Sequence, residues 1–240
     1  NAPTGTGKTY AVWGGVVNSA ITAQAKKRGS KASGLQAVWI TPLRALAGEI
    51  AESAQRMCDG VGLDWKVGVR TGDTSTKERA AQKKALPQLL VTTPESLHVL
   101  LATKGYADLF KHLDWFIADE WHELLGSKRG VQVELALSRL KAIRPQLGIW
   151  GISATIGNLP QAMDVLLGTD HLGTSGTVDP PGRPFRADAP VLVRSTIKKP
   201  IEIRSIIPEE VERYPWAGHL GLKLAHRLLP IIEQSTSTLI

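Results

Sequence analysis

Short apolar runs alternate with longer segments of helical periodicity over the first 168 residues. The segments 36–41 (QAVWIT), 65–70 (WKVGVR), 88–92 (QLLVT), 114–119 (DWFIAD) and 147–153 (LGIWGIS) each read as a strand. Between them the pattern predicts a helix from Pro42 to about Met57 and a polar helix near 75–85, beyond Gly72. A further helix opens at Pro94, whose missing N–H does no harm in a first turn, and another covers 131–143. Near-continuous apolar strands separated by helices predict a parallel sheet covered on both faces, a doubly wound α/β domain.

The pattern changes after residue 168. Residues 169–190 hold the run Asp179-Pro180-Pro181-Gly182-Arg183-Pro184 without periodicity and read as a linker or exposed loop. Residues 191–207 alternate apolar and polar positions like extended strands, and 217–234 look helical. The expected organisation is one domain over 1–168, a linker over 169–190, and the start of a second domain over 191–240. Asn1 leads directly into a glycine-rich turn without a feeding strand, and Ser237-Thr238-Leu239-Ile240 reads as a strand beginning. Both ends suggest a piece of a larger protein.

Composition adds constraints. Hydrophobic residues at 42% suffice for a substantial core, which argues against disorder throughout. Lys and Arg exceed Asp and Glu by 29 − 22 = 7, and the basic balance favours an anionic partner. Cys58 is the sole cysteine, which excludes an internal disulfide and a thiolate zinc cluster and fits a reducing compartment. Its expected role is a small packed residue on a helix. No apolar run approaches the ~20 residues of a membrane-spanning helix.

Candidate chemistry lies at three points. Residues 2–9 read Ala-Pro-Thr-Gly-Thr-Gly-Lys-Thr and match the spacing of a phosphate-binding loop, with Ala2 at the usual first glycine. Thr4, Gly5, Thr6 and Gly7 form the turn whose N–H groups converge on phosphate oxygens, and a helix beginning near Gly7 adds its positive end. Lys8 supplies a mobile charge for the terminal phosphates, and the Thr9 hydroxyl can ligate Mg²⁺. Asp119 and Glu120 open the run Asp-Glu-Trp-His at the carboxyl end of an apolar strand, where open α/β sheets place their ligands. Asp119 suits the Mg²⁺, and Glu120 suits orienting and deprotonating a water. Ser153-Ala154-Thr155 follows the fifth strand.

The ordered set APTGTGKT, TPLRALA (41–47), TGD (71–73), TTPESL (92–97), DEWH (119–122) and SAT (153–155) resembles a superfamily 2 DExH-box helicase. DEWHEL (119–124) and SATIGN (153–158) make it most similar to the large-helicase-related (Lhr) family, which includes ligase-associated DNA helicases. The resemblance covers about residues 1–168. It implies a RecA-like P-loop NTPase domain followed by the start of a second RecA-like domain. By the same resemblance, Gly5 to Thr9 bind ATP, Asp119 and Glu120 bind Mg²⁺ and catalyse, and His122, Ser153 and Thr155 couple hydrolysis to movement. Thr41, Pro42, Arg44, Thr71, Gly72, Thr93, Pro94 and Glu95 line the nucleic-acid track, where amides, hydroxyls and helix N-termini grip phosphates without reading bases.

The function so implied is an ATP-dependent, 3′-to-5′ DNA helicase or translocase in repair, acting on single-stranded or tailed duplex DNA. Its location would be cytoplasmic, with the nucleoid of a bacterium or archaeon. The second motor domain would supply arginine fingers, so these 240 residues alone should be a poor ATPase. An RNA or RNA–DNA hybrid helicase is the alternative within this class. An ATP-binding scaffold or switch is the alternative outside it, and the joint presence of Lys8, Asp119 and Glu120 speaks against that. Trp39, Trp115, Trp121 and Trp150 are expected in the core, whereas Trp13, Trp65 and Trp216 are open to stacking on a base. The other five histidines show no ligand spacing.

Overall fold

The computed structural model describes residues 7–26, 33–154, 156–168, 190–194, 203, 225–236 and 238. Thr4, Gly5, Thr6, Thr155, Trp216 and nearly all of the expected linker lie outside the described residues.

The elements follow in the order α1 (Lys8–Lys26), β1 (Ala37–Ile40), α2 (Arg44–Gly60), β2 (Val67–Arg70), α3 (Thr76–Lys84), β3 (Leu89–Thr92), α4 (Pro94–Leu101) and α5 (Tyr106–Phe110). There follow β4 (Trp115–Ala118), α6 (Trp121–Leu124), α7 (Lys128–Ile143), β5 (Gly148–Gly151), α8 (Leu159–Leu167) and α9 (Ala225–Gln234). The five strands fall inside the five apolar runs. Among the described residues they form one sheet, all parallel, in the order β2-β3-β1-β4-β5.

Burial explains the pattern. Because successive side chains on a strand point to opposite faces, Val38, Ile40, Leu90, Phe116 and Ala118 pack with α4, α5, α7 and α8 on one side. Ala37, Trp39, Leu89, Val91 and Ile117 pack with α1 and α2 on the other. Cys58 is buried in that second layer, where burial pushes its thiol up to about 11. Trp13 and Trp65 are core residues of the same layer and not base-stacking surfaces. Trp121 is buried too, its indole donating to Ala162 O at 3.0 Å.

Caps set several helix ends. Ser75 and Glu78 form a reciprocal capping box on α3. Thr93 caps α4, with Pro94 as its first residue. The Ser127 hydroxyl accepts from Gly130 N, starting α7 three residues before the expected point. Among the described residues of 191–207 there is no strand. The chain divides into two compact units, Asn1–Ile197 and Lys198–Ile240, and α9 belongs to the second.

The strand order places the site. From β1 the chain runs through α2 on one face of the sheet, whereas from β4 it runs through α6 and α7 toward the other. Neighbouring strands whose connections depart to opposite faces leave a crevice at their carboxyl ends, the usual ligand position in such sheets.

Candidate nucleotide and nucleic-acid site

Gly7 takes the left-handed conformation (φ +74°) immediately before α1, a position that disfavours any side chain. Lys8 and Thr9 are thereby the first two residues of the helix. The Nζ of Lys8 is buried and has no hydrogen-bond partner among the described residues. A desolvated ammonium beside the positive end of a helix is costly by itself, and an anion relieves both.

Asp119 stands at the end of β4, only 7% exposed, and its N–H continues the ladder to Ile40 O at 2.9 Å. Its Oδ1 accepts from Glu120 N at 2.9 Å, and its Oδ2 accepts from Trp39 Nε1 at 3.2 Å. Burial, followed by the adjacent Glu120 charge, pushes the Asp119 carboxyl up to about 6; the two hydrogen bonds and the Lys8 ammonium pull the other way. The Lys8 charge acting on Asp119 joins the start of α1 to the end of β4.

Glu120 is in the left-handed region (φ 45°, ψ 47°), the one non-glycine residue with positive φ among the described residues. Such a conformation costs on the order of 1–3 kcal/mol and is retained where the surroundings over-determine it. Its Oε2 is buried 3.4 Å from His122 Nδ1, without hydrogen-bonding geometry. That nitrogen also lies 3.3 Å from Ser153 Oγ, while His122 Nε2 is 3.4 Å from Glu123 Oε1. His122 thus joins the DEWH segment to the segment after β5. His122 also lines a cavity of about 320 Å³, together with Pro42, Leu43, Leu46, Glu120 and Arg129.

The expected track residues occupy three loops at the same end of the sheet. Thr41 is buried, and its hydroxyl accepts from Leu43 N at 3.4 Å. Arg44 begins α2 and forms an exposed ion pair with Asp73 at 3.5 Å. It crosses Gly72 so closely that a Cβ there would meet its Nη1 at 2.9 Å. Thr71 is buried and donates its N–H to Thr74 Oγ1 at 2.9 Å. Thr93 and Pro94 are buried at the start of α4, and Glu95 faces Arg129.

Two arginines that sequence reasoning passed over organise these loops. Arg79 Nη2 donates to Thr71 O (3.0 Å) and Gly72 O (2.6 Å), holding the carbonyls of that turn. Arg129 forks onto Glu95, with Nε to Oε1 at 2.7 Å and Nη2 to Oε2 at 3.4 Å, and donates from Nη1 to Pro42 O at 2.7 Å. Burial alone would raise the Glu95 carboxyl, but hydrogen bonds from Arg129, its own backbone N–H and Thr93 outweigh it and hold it below the usual range. The available sequence signal was Lys128-Arg129-Gly130. Gly130 packs so tightly on Leu124 O that no Cβ fits, which fixes Arg129 at the turn into α7. Among the described residues, no helix is long and apolar enough to cross a membrane.

Comparison with known proteins bears on the family and the fold. The DEAD/DEAH box helicase family model matches residues 1–163. The chain is 31% identical to the ATP-dependent helicase Lhr-Core protein 2 of Thermococcus barophilus, over all of this chain and 27% of that protein. Among solved structures, Mycobacterium smegmatis helicase Lhr bound to ssDNA and AMP-PNP superposes with a TM-score of 0.53 at 31% identity, over 67% of this chain and 21% of that one. The DUF1998 helicase MrfA bound to DNA and AMPPNP gives 0.55 at 26% identity, over 69% of this chain and 22% of that one. The chain thus spans about a quarter of the length of these relatives. With its RecA-like parallel sheet and a family match over two thirds of its length, the chain belongs to the DEAD/DEAH box helicase family.

Proposed function

We propose that this chain is the ATP-binding motor domain of an Lhr-type helicase that tracks along DNA in the 3′-to-5′ direction and serves repair. The observation that carries the reading is the convergence of the Lys8 ammonium, buried and without a partner among the described residues, with the buried Asp119 and strained Glu120 at the β1/β4 crevice. Two solved relatives of similar fold are described as bound to DNA and AMP-PNP, single-stranded DNA in one case. For this chain, a cytoplasmic location with the nucleoid would follow from such a substrate.

In this reading Gly7 and Lys8 hold the terminal phosphates of ATP. Thr9 and Asp119 fit a hard cation such as Mg²⁺, because a hydroxyl and a carboxylate are the oxygen donors it takes. When bound, the ion would neutralise charge on the phosphate oxygens. Glu120, whose buried Oε2 has no hydrogen-bond donor among the described residues, orients the attacking water and takes its proton. His122, bridging Glu120 to Ser153, passes the state of that site to the segment leading to a second motor domain. The loops at Pro42, Thr71–Gly72 and Thr93–Glu95 carry the strand.

The test is strand separation by the whole protein on duplexes with a 3′ or a 5′ tail, the tail and displaced strand being made in turn of DNA and RNA. Unwinding of 3′-tailed substrates with a DNA tracking strand supports the proposal. A preference for 5′ tails defeats the polarity, and an RNA tracking strand used equally well defeats the DNA-directed reading.

A further inference from the structure

Trp39 lies wholly buried in the middle of β1, on the face covered by α1 and α2. Its ring stacks on Trp13 of α1, with centroids 4.6 Å apart and planes inclined by 25°. Its Nε1–H reaches the neighbouring strand and donates to Asp119 Oδ2 at 3.2 Å. Since Glu120 N donates to Oδ1 at 2.9 Å, each Asp119 oxygen has one fixed donor. The carboxylate plane is set by these two contacts, and its remaining lone pairs stay available.

Trp13 is five residues beyond Lys8 on the same helix, which also carries Thr9. The indole stack therefore registers the helix that holds Lys8 and Thr9 against the strand that ends in Asp119. An aliphatic or phenyl side chain at position 39 could fill the core, but it has no donor for Oδ2. The indole is also rigid, so the stack on Trp13 leaves its N–H little freedom.

We propose that Trp39 is a positioning residue that holds the Asp119 carboxylate in the orientation that meets the divalent cation accompanying the nucleotide. The proposal rests on Asp119 being the carboxylate that meets that ion. Partners in the second shell of a metal ligand commonly contribute 10–100-fold in metal affinity, through orientation.

The experiment is calorimetric binding of AMP-PNP to the whole protein, in saturating MgCl₂ and in EDTA, for the unaltered protein and Trp39→Phe. The phenyl ring keeps an aromatic surface for Trp13 and removes only the donor and some volume. The expected result is a loss of about tenfold in the MgCl₂ arm, with the EDTA arm within twofold of the unaltered protein. An unchanged MgCl₂ arm overturns the proposal. Equal loss in both arms assigns Trp39 to packing alone and also overturns it, whether or not the variant folds fully. If the unaltered protein itself binds AMP-PNP equally in MgCl₂ and EDTA, the reading of Asp119 has failed, an outcome distinct from both.

Discussion

Arg129 and Glu95 form a forked ion pair that ties the start of α7 to the start of α4, and the same guanidinium reaches the Pro42 carbonyl. Three segments distant in sequence are thus held by one side chain. A planar fork matches a carboxylate in a way that lysine does not.

Removing that side chain should loosen the loops after β1 and β3 without touching the Lys8 end of the site. Arg129→Ala is expected to weaken single-stranded DNA binding by the whole protein about tenfold, a loss typical of a charge-assisted hydrogen-bond pair. Arg129→Lys should recover little of it. AMP-PNP affinity should stay within twofold. Fluorescence anisotropy of a labelled oligonucleotide measures the first quantity and calorimetry the second; equal loss in both would point to general unfolding.

Asp119 makes stability depend on pH. Its folded-state carboxyl is raised to about 6 from 3.8, so the folded protein holds this proton more tightly than the unfolded chain. The group favours folding below about pH 4, and that contribution is lost as pH rises through 6. Above that, the ionised carboxylate is a cost of roughly 2–3 kcal/mol. Asp119→Asn should therefore raise Tm at pH 7.5 in EDTA by roughly 4–12 °C and give no gain at pH 4. Thermal melting of both proteins at both pH values checks this. A gain of equal size at the two values would sink the electrostatic explanation.

Glu120 reverses a common rule about glycine. At φ 45° any side chain with a Cβ is strained by roughly 1–2 kcal/mol, and glycine is not. Glu120→Gly should be more stable than Glu120→Ala by about 1 kcal/mol, although both lose ATP turnover by roughly 10²–10⁴-fold. Urea melts of the two variants decide it. Should the alanine variant prove the more stable, the strain at Glu120 is not real.

Gly130 is needed for space. A Cβ would press into the carbonyl of Leu124, a backbone atom that cannot swing away. Gly130→Ala should cost about 2 kcal/mol and lower Tm by roughly 4–8 °C, with Arg129 displaced and DNA binding weakened alongside.

The central strands β1, β3 and β4 were legible because they are buried on both faces, leaving runs of apolar residues that few other structures explain; the edge strands β2 and β5 are mostly half-buried. Asp119, Glu120 and Lys8 could be singled out as candidates because short motifs carry them. The short helices α5 and α6 were not legible, having too few turns to show a period, and α8 begins at a Leu-Pro pair that resembles a loop. Trp39 was read only as core, since its bond to Asp119 spans 80 residues and exists only because β1 and β4 are neighbours. Arg129 shows the same limit: its partners, Glu95 and Pro42, lie 34 and 87 residues away.

The most direct test of the account is ATP turnover by the whole protein with and without single-stranded DNA, compared with Glu120→Gln. The site geometry predicts DNA-stimulated hydrolysis that falls by roughly 10²–10⁴-fold in the variant while AMP-PNP still binds. Hydrolysis indifferent to DNA, together with a fully active Glu120→Gln protein, would contradict it.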